Sequence, residues 1–330
     1  MNSSAHRLRK FSQAQLIAAL DERLFTQEFV LHAPAKLNLR LKVLGRREDG
    51  YHFLSLLNVS TALTDLITLS LRPGRTISVH TRPEGEFSIP SHDNLVTKAV
   101  GALWKALGCE QPPLELRVAI DKQIPVGGGL GGGSSDAGAV LRFFVQKLGD
   151  QLCRLTALAP QDLDDLLMRV AAHVGADVPY AYRGGTCWVT GVGEVVTPLD
   201  NECVWPGEVL ISVPRAAVAT GPFYQYFRGR HPVLPMLDDE LMTRYAQQGF
   251  GELPLELIEN DFEPDICAFC PAVADALQCA REFFPDTTSV TGSGAALFSL
   301  VPADYTTRIA AYLTQAHKRN ITVHRTALIR

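Results

Sequence analysis

Hydrophobic and polar residues alternate along several stretches of the N-terminal half of the chain. Between residues 37 and 43, leucine or valine takes every second position and basic or amide side chains take the others. This period of two is typical of a half-buried strand, so we expect Lys36 and Asn38 to share its polar face. The segments TDLITLSLRPGRTISVHT (64–81) and LELRVAI (114–120) predict further strands.

Other stretches repeat their apolar residues every three or four positions, which is the spacing of an amphipathic helix. This spacing predicts helices over 94–107, 137–148 and 163–174, and a glycine follows each of them as a stop signal. The segment FSQAQLIAALDERLF (11–25) predicts a short amphipathic helix ahead of the fold, packed on it or on a partner. Beyond about residue 200, strands and helices alternate.

The chain has 330 residues, more than a single hydrophobic core usually contains, so we expect two domains. We predict an N-terminal extension over 1–25, a first domain over 26–199 and a second domain over 200–330. The joint would lie before the segment CVWPGEVLISVP (203–214), which carries proline and tryptophan ahead of a new strand.

The charge pattern bears on partners and location. The 31 basic and 35 acidic residues are well mixed and leave a net charge of -4, which gives no footprint for nucleic acid or an anionic membrane. No stretch of about 20 apolar residues occurs, and the N-terminus has no hydrophobic signal region. We therefore predict a cytoplasmic protein that works on small molecules as a monomer or weak homodimer.

The seven cysteines form an odd set without the regular spacing of a disulfide-stapled domain. Reduced thiols are the simpler interpretation. Cys267 and Cys270 form a single C-x-x-C pair, but no second pair or spaced histidines follow to complete a zinc site. The sequence therefore favours buried thiols at this pair over a metal or redox role.

The most unusual segment is PVGGGLGGGSSDAG (125–138), which places six glycines in the seven positions 127–133. It lies between the predicted strand 114–120 and a helix that we expect to begin near Ser134 or Ser135. Successive backbone N–H groups of such a loop, together with a following helix N-terminus, form a cradle for an anion. A flexible hairpin or close packing would require only one or two glycines, so phosphate binding is favoured.

Features missing from the loop argue against two common kinds of phosphate site, the dinucleotide fingerprint and the Walker A loop. Gly127, Gly129 and Gly132 match the spacing of a dinucleotide fingerprint, but the motif lies late in the chain and no acid-ended strand follows at the required distance. A Walker A loop requires a lysine where this chain has Gly133 or Ser134. The charge of a triphosphate must then be offset by Mg²⁺ and by basic residues from other segments, with Lys122, Lys36 and Arg40 as candidates.

With PAKLNL (34–39) and GADVP (175–179), the glycine segment resembles the GHMP kinase superfamily, whose phosphate loop is P-x-x-x-G-L-G-S/G-S-S. The order of these motifs, with GYH (50–52), DNL (93–95) and VTGSGAALF (290–298), is similar to that of one branch of the superfamily. That branch phosphorylates the 2-hydroxyl of 4-diphosphocytidyl-2-C-methyl-D-erythritol with ATP in the non-mevalonate route to isoprenoids. The resemblance covers the chain from about Glu28 to the C-terminus and implies the same activity.

The resemblance also implies an α+β fold, with an N-terminal domain like ribosomal protein S5 domain 2 and a ferredoxin-like C-terminal domain. It implies that Asp177 is the general base and that Lys36 is the cation beside it, roles that suit phosphoryl transfer. The implied ATP-binding residues are Asn94, Lys122, Pro125, Val126, Gly127, Gly128, Gly129, Leu130, Gly131, Gly132, Gly133, Ser134 and Ser135. Mg²⁺ is expected with ATP; Ser134 and Asp136 are both candidates for its protein ligand, and water supplying most of its contacts is the alternative.

On the substrate side, the resemblance implies that His52 and Tyr51 bind the cytosine by hydrogen bonding and stacking. Tyr224, or Phe223 in its place, would close over the other side of the base, with Thr220 nearby. Asn38 is also implied to bind the substrate. The turn Gly292–Gly294 would support the site from the second domain, and Asn260 would have a structural duty in that domain.

One position departs from the motif, because Gly138 stands where alanine is usual. Three alternatives remain at this stage: a related kinase for homoserine or mevalonate, a non-catalytic nucleotide-binding protein, and a dinucleotide-dependent oxidoreductase.

Overall fold

The computed structural model describes residues 8–82, 90–199, 205–231, 237–248 and 253–329. The helices in these ranges are α1 (Gln13–Ala19), α2 (Leu95–Ala106), α3 (Gly132–Thr156), α4 (Pro160–Val174), α5 (Val178–Arg183), α6 (Thr220–Arg230), α7 (Glu240–Gln248), α8 (Glu263–Phe269), α9 (Pro271–Arg281) and α10 (Thr306–Lys318). The strands are β1 (Phe29–Arg46), β2 (His52–Arg72), β3 (Ile77–Arg82), β4 (Glu115–Asp121), β5 (Cys187–Thr190), β6 (Val195–Pro198), β7 (Glu208–Pro214), β8 (Glu259–Asn260), β9 (Thr288–Val290), β10 (Leu297–Val301), β11 (Ile321–Thr326) and β12 (Leu328–Ile329). In the described part of the chain, no helix has the length and apolar character needed to cross a membrane.

The chain divides into two compact units. Unit 1 comprises residues 1–33, 65–123 and 133–182, and unit 2 comprises residues 34–64, 124–132 and 183–330. Both units are discontinuous, because the long strands β1 and β2 each begin in one unit and end in the other. The domain boundary proposed at 199/200 stays a prediction, and residues 200–204 at this joint lie outside the described residues.

Unit 1 contains a sheet in the order β3-β4-β2, in which β4 runs parallel to β3 and antiparallel to β2. The apolar positions of these strands and of helices α2, α3 and α4 form one core. Its largest side chains, Trp104, Phe143 and Phe144, are almost fully buried, and Phe144 meets both other rings edge to face. Such aromatic pairs add stability beyond the area they bury.

The N-terminal helix α1 belongs to unit 1. Ser12 and Gln15 form a capping box at its start, which satisfies backbone donors of the first turn. Leu16 is fully buried, and Leu16, Leu20 and Leu24 join the core of the unit. The sequence left open whether α1 packs on the fold or on a partner. These buried leucines show that α1 packs on the fold.

The expectation that Gly149 ends helix α3 is wrong, because α3 continues to Thr156. Glycine inside a helix costs about 1 kcal/mol relative to alanine. Leu148 and Leu152, one turn apart, are both fully buried in the core of unit 1, and their burial offsets that cost. Helix α4 ends before Gly175 and α2 before Gly108, as the sequence predicts.

The replacement of Gly138 by alanine is expected to destabilise the protein by about 1–3 kcal/mol through overpacking. A Cβ at this position would lie 2.5 Å from the carbonyl carbon of Ala181, so α3 approaches the backbone of α5 too closely for a side chain. Arg142, one turn later, donates Nη1 to the carbonyl oxygens of Ala181 and Tyr182 and holds the two elements together. Urea denaturation of Gly138→Ala measures the loss.

The matched control for this variant is Gly149→Ala in the same helix. A Cβ at Gly149 would have only an ordinary contact, 3.7 Å from Cγ1 of Val145. The free energy of unfolding of this variant should increase by up to about 1 kcal/mol, because alanine has a higher helix propensity than glycine. Equal effects of the two substitutions would contradict the close approach inferred at Gly138.

Unit 2 contains part of the long β1–β2 pair and a separate four-stranded sheet. In the first sheet, β8 runs parallel to β1, and both β5 and β12 pair antiparallel with β2. The second sheet has the order β11-β7-β10-β9, and every pairing in it is antiparallel. With helices α9 and α10 it follows the order β7-α9-β9-β10-α10-β11, which is the ferredoxin-like pattern. The predicted α+β fold with a ferredoxin-like C-terminal part is confirmed.

Candidate functional site

The polar face of β1 is buried, so the expectation of a half-buried strand is wrong there. Lys36 is 7% exposed, and Asn38 and Arg40 are each 2% exposed. Burying such groups is costly unless each finds a partner. Arg40 forms two 3.0 Å hydrogen bonds to the carboxylate of Asp239 and a 2.5 Å hydrogen bond to that of Glu259, so its charge is neutralised within unit 2.

Lys36 belongs to a chain of buried hydrogen bonds in unit 2. Its Nζ donates to Oδ1 of Asn38 at 2.5 Å, and Nδ2 of Asn38 donates to Oδ1 of Asn58 at 2.5 Å. The backbone N–H of Asn38 donates to Oγ1 of Thr291 at 2.9 Å. The ammonium group of Lys36 is therefore held at a fixed place, and Asn38 is fixed from two sides.

The glycine loop lies against this lysine. Gly127, Gly129 and Gly131 have φ angles of 76°, 77° and 70°, in the left-handed region that favours glycine. The backbone N–H of Lys36 donates to the carbonyl of Leu130 at 3.0 Å. A Cβ at Gly131 would lie 2.9 Å from Cγ of Lys36, so the loop follows the aliphatic stem of the lysine.

The turn Gly292–Gly294 supports the same loop from within unit 2. A Cβ at Gly129 would lie 2.8 Å from the carbonyl oxygen of Gly294, and the N–H of Ala296 donates to the carbonyl of Gly128 at 3.0 Å. Asn260 donates Nδ2 to the carbonyls of Val290 and Gly292, at 2.8 and 2.9 Å, which fixes the turn as a structural asparagine would.

The residues of this loop fit an anion. Between Gly127 and Gly133, Leu130 is the only residue with a side chain, and that side chain is buried. Helix α3 begins directly after it at Gly132, two residues before the expected start, because glycine accepts the helical conformation although it adds no apolar signal. The free N–H groups of a first helical turn attract phosphate. Ser134 and Ser135 lie in that turn.

In unit 1, two predicted ATP residues take part in structural contacts. Asn94 is the N-cap of α2, and its Oδ1 accepts the N–H of Val96 at 2.9 Å. Lys122 bridges two buried carboxylates, with a 2.8 Å contact to Oδ2 of Asp136 and a very short one to Asp65. Whether either residue also contacts a nucleotide stays a prediction.

Asp136 is the unusual member of this triad. Burial is the main reason that its pKa is raised to about 7, and the negative charge of Asp65 acts in the same direction while Lys122 opposes both. The single positive charge of Lys122 cannot fully compensate the negative charges of two buried carboxylates. The carboxyl group of Asp136 therefore keeps its proton up to about pH 7.

The stability of the variant Asp136→Asn relative to the wild type is expected to increase as the pH rises. The folded-state pKa of about 7 lies above the ordinary 3.8, so the stability linked to this group is fully present below pH 3.8 and is lost as the pH rises through 7. The free energy of unfolding of Asp136→Asn minus that of the wild type should increase by about 2 kcal/mol from pH 5.5 to pH 8. Urea denaturation at both values tests this, and a constant difference would contradict the assignment.

Asp177 lies in unit 1, at the residue that precedes helix α5. It is half-buried, and its carbonyl oxygen accepts the N–H of Ala181 at 2.9 Å, the first hydrogen bond of that helix. The short connection after α4 leaves Asp177 at a helix start, where backbone geometry limits its motion and the dipole stabilises a carboxylate.

Two of the predicted base-binding residues, His52 and Tyr224, come together in unit 2. His52 is 3% exposed, and its ring lies 5.6 Å from that of Tyr224 and 5.3 Å from that of Phe227. Neither ring nitrogen has a hydrogen-bond partner among the residues that the structure describes. Tyr51, the next residue along the chain, is 64% exposed. His52 is thus a buried hydrogen-bonding group that contacts two aromatic rings of α6, and neither of its ring nitrogens has a protein partner in that part of the chain.

The structure distinguishes the two aromatic candidates on α6. Phe223 is fully buried against Phe262 and Phe269, whereas Tyr224 is only half-buried and contacts His52. Tyr224 is therefore the residue of the two that faces the proposed base site. Thr220 is the first residue of the same helix.

The sequence missed several contacts of the candidate site. Asn58, Thr291 and Phe227 each touch a predicted residue within unit 2. Phe227 follows Tyr224 by three positions, so helical spacing could have indicated it once α6 was assigned. Nothing in the local pattern pairs Asn58 or Thr291 with Asn38.

The predicted site residues lie in both units. Unit 2 contains Lys36, Asn38, Tyr51, His52, the loop 125–132, Thr220 and Tyr224, and unit 1 contains Asn94, Lys122, Gly133, Ser134, Ser135 and Asp177. Among the described residues, no group of three or more histidine, cysteine or acidic side chains is arranged to hold a metal ion. The six cysteines in the described ranges are free thiols, as expected, and Cys203 lies outside those ranges. Cys267 and Cys270 are only half-buried, so the expectation of buried thiols at this pair is wrong.

The family described as "GHMP kinases N terminal domain" matches residues 94–185. A 4-diphosphocytidyl-2-C-methyl-D-erythritol kinase from Pseudomonas syringae pv. tomato is 35% identical over 294 residues, which cover 87% of this chain and 91% of the relative. A crystal structure of 4-(cytidine 5'-diphospho)-2C-methyl-D-erythritol kinase superposes with a TM-score of 0.63 at 26% identity, covering 91% of this chain and 99% of that one. The mevalonate kinase of Methanococcus jannaschii shares the fold, with a TM-score of 0.62 at 13% identity, covering 92% of this chain and 99% of that one.

Proposed function

Since this chain belongs to the 4-diphosphocytidyl-2-C-methyl-D-erythritol kinase family, we propose that it transfers the γ-phosphoryl group of ATP to the 2-hydroxyl of that cytidine diphosphate alcohol. One observation carries this proposal beyond the family name. Within unit 2, the chain holds both a glycine loop docked on a buried lysine and a buried histidine in contact with two aromatic rings. The first feature suits a phosphate and the second suits a base.

The loop 125–135 would hold the phosphates of ATP through backbone N–H groups and the first turn of α3. Bound ATP would supply the phosphoryl group. Ser134 or Asp136 would hold the Mg²⁺ that accompanies ATP, which would neutralise part of the phosphate charge. Asn94 and Lys122 would lie near the nucleotide. The loop cannot accept side chains at Gly129 or Gly131 without displacing its supports, which favours direct approach of the phosphates to the backbone.

Asp177 would accept the proton of the attacking hydroxyl, and Lys36 would stabilise the negative charge that develops during transfer. Lys36 suits this role because its hydrogen bond to Asn38 holds the ammonium in place before the substrate arrives. A positioned cation requires little reorganisation during the reaction, and this preorganisation is a large part of its catalytic effect.

His52 would recognise the cytosine edge, while Tyr51 and Tyr224 would stack on the base. Burial is the main cause that lowers the pKa of His52, and the positive charges of Arg228 and Arg46 lower it further. The ring is therefore neutral near pH 7, with one donor and one acceptor nitrogen. Through one of its two nitrogens, a neutral imidazole can either accept a hydrogen bond from the 4-amino group of cytosine or donate one to its ring nitrogen N3.

Substrate selectivity tests the proposal against the two closest alternatives. ADP release should depend on 4-diphosphocytidyl-2-C-methyl-D-erythritol, with kcat/KM at least about 10³-fold above the values for mevalonate and homoserine, because unpaired polar groups penalise the wrong substrate. Faster turnover of mevalonate or homoserine would contradict it. A protein that binds ATP but releases no ADP with any of the three substrates would be a non-catalytic nucleotide-binding protein.

A further inference from the structure

Arg228 connects the two segments that carry the proposed base site. It lies on α6, one helical turn after Tyr224, and its Nε donates to the carbonyl oxygen of Tyr224 at 3.2 Å. A Cβ at Gly50 would lie 3.1 Å from Nη1 of Arg228, so the guanidinium lies against the turn that precedes Tyr51 and His52. Gly50 has a φ of 88°, and a glycine there leaves room for the arginine.

The charge of Arg228 is not neutralised within the part of the chain that the structure describes. No carboxylate of those residues forms an ion pair with it, and its two terminal nitrogens have no protein acceptor there. Arg230, two residues later, differs in both respects: it pairs with Asp265 at 3.1 Å and donates to the hydroxyl of Tyr226 at 2.9 Å. A half-buried guanidinium with an open fork of donors is suited to an anion.

The position of this cation matters because it lies near the base-binding histidine: Gly50 comes two residues before His52, and Phe227, the neighbour of Arg228 on α6, contacts the His52 ring. Arg228 is, after burial, the largest influence that lowers the pKa of the imidazole, which shows that its charge reaches the ring. Both nitrogens of that ring are buried and without a partner among the described residues. An uncompensated cation thus lies against the turn that leads into an unpartnered histidine, and a ligand with both a base and an anionic group would satisfy both.

We propose that Arg228 is a specificity-determining residue that binds the diphosphate of the cytidine diphosphate substrate. This inference rests on the proposed function, because it assigns a further contact to the same substrate. Only one ribose separates the base of a nucleotide from its diphosphate, so a cation beside the base-binding histidine is within reach of the phosphates. A guanidinium can bind two phosphate oxygens at once, which adds geometric selectivity.

The first test is steady-state kinetics of Arg228→Gln. KM for the cytidine diphosphate substrate should rise about 10-fold or more, as expected for a lost charge-assisted pair, while kcat and KM for ATP change less than about 3-fold. Arg228→Lys should recover part of the loss because it restores the charge. The matched control is Arg230→Gln, which removes the same charge from the opposite face of the helix and should leave all three constants unchanged.

The second test is calorimetric binding of cytidine and of cytidine diphosphate, which needs no turnover. The wild type should bind cytidine diphosphate at least about 10-fold more tightly than cytidine, and this ratio should fall towards one in Arg228→Gln. An unchanged ratio would overturn the inference even if the kinase activity is confirmed. Equal losses for both ligands would assign Arg228 a purely structural role on α6. Absence of turnover by the wild type would contradict the proposed function, and the binding ratio would still decide the inference.

Discussion

Asp177→Asn is expected to lower kcat by about 10²-fold or more, because asparagine has nearly the same shape but cannot accept the proton of the substrate hydroxyl. KM for either substrate should change little, since a general base acts mainly in the transition state. The helix start at α5 should persist, because the backbone carbonyl of residue 177 makes the capping hydrogen bond to Ala181. Steady-state kinetics with both substrates, with a thermal melt to verify folding, measure the effect.

The control for this variant is Asp162→Asn, an exposed aspartate in the first turn of α4 that carries the same change of charge in the same unit. It should retain wild-type kinetics. If Asp177→Asn kept its activity within about 3-fold of the wild type, the base would have to be another group, since general base catalysis contributes about 10²-fold or more.

Lys36→Met is expected to lower kcat by about 10²-fold, since it removes a positioned cation from the site of charge development. Methionine keeps an unbranched stem that can pack under Gly131, so the loop should remain docked. The variant leaves Oδ1 of Asn38 without its donor, which costs about 1–3 kcal/mol, and it also removes a buried charge. We therefore expect a large kinetic effect and a small change in the free energy of unfolding.

Lys42→Met is the matched comparison on the same face of β1. Lys42 contacts the carboxylate of Glu259 at 3.2 Å and is more exposed than Lys36. Its loss should leave kcat nearly unchanged. Similar kinetics for the two variants would show that the ammonium of Lys36 has no special role in transfer.

Much of the secondary structure follows from hydrophobic period alone. The alternation around Leu37 and in 114–120 predicts β1 and β4, and the helical spacing predicts α2 and α4. The local pattern failed at Gly149, where two buried leucines continue helix α3 past a residue that usually stops one. Tertiary burial outweighs local propensity there.

The burial of the polar face of β1 could not be read from its own sequence. Arg40 is satisfied by Asp239 and Glu259, which lie about 200 residues further along the chain. A strand that alternates apolar and polar residues is expected to be half-buried, because its sequence does not indicate which distant residues bury its polar face. For the same reason, the passage of β1 and β2 between the two units is invisible in composition, and contiguous domains were the natural expectation.

The candidate site also combines features that the local sequence predicts with features that depend on distant segments. Motifs locate the loop, Lys36 and His52, because glycine spacing and family patterns are local. The supports of these residues, such as Thr291 for Asn38 and Phe227 for His52, come from distant segments that only the fold brings near. Arg228 is another residue that only the fold brings near the site. Nothing in the sequence around it indicates that its guanidinium lies against Gly50.

A crystal structure with a non-hydrolysable ATP analogue and 4-diphosphocytidyl-2-C-methyl-D-erythritol tests the central claim most directly. The account predicts the triphosphate on the backbone N–H groups of 127–133, with the substrate 2-hydroxyl about 2.6–3.2 Å from the carboxylate of Asp177 and Lys36 near the γ-phosphoryl group. A triphosphate bound away from the glycine loop, or a substrate hydroxyl out of reach of Asp177, would contradict it.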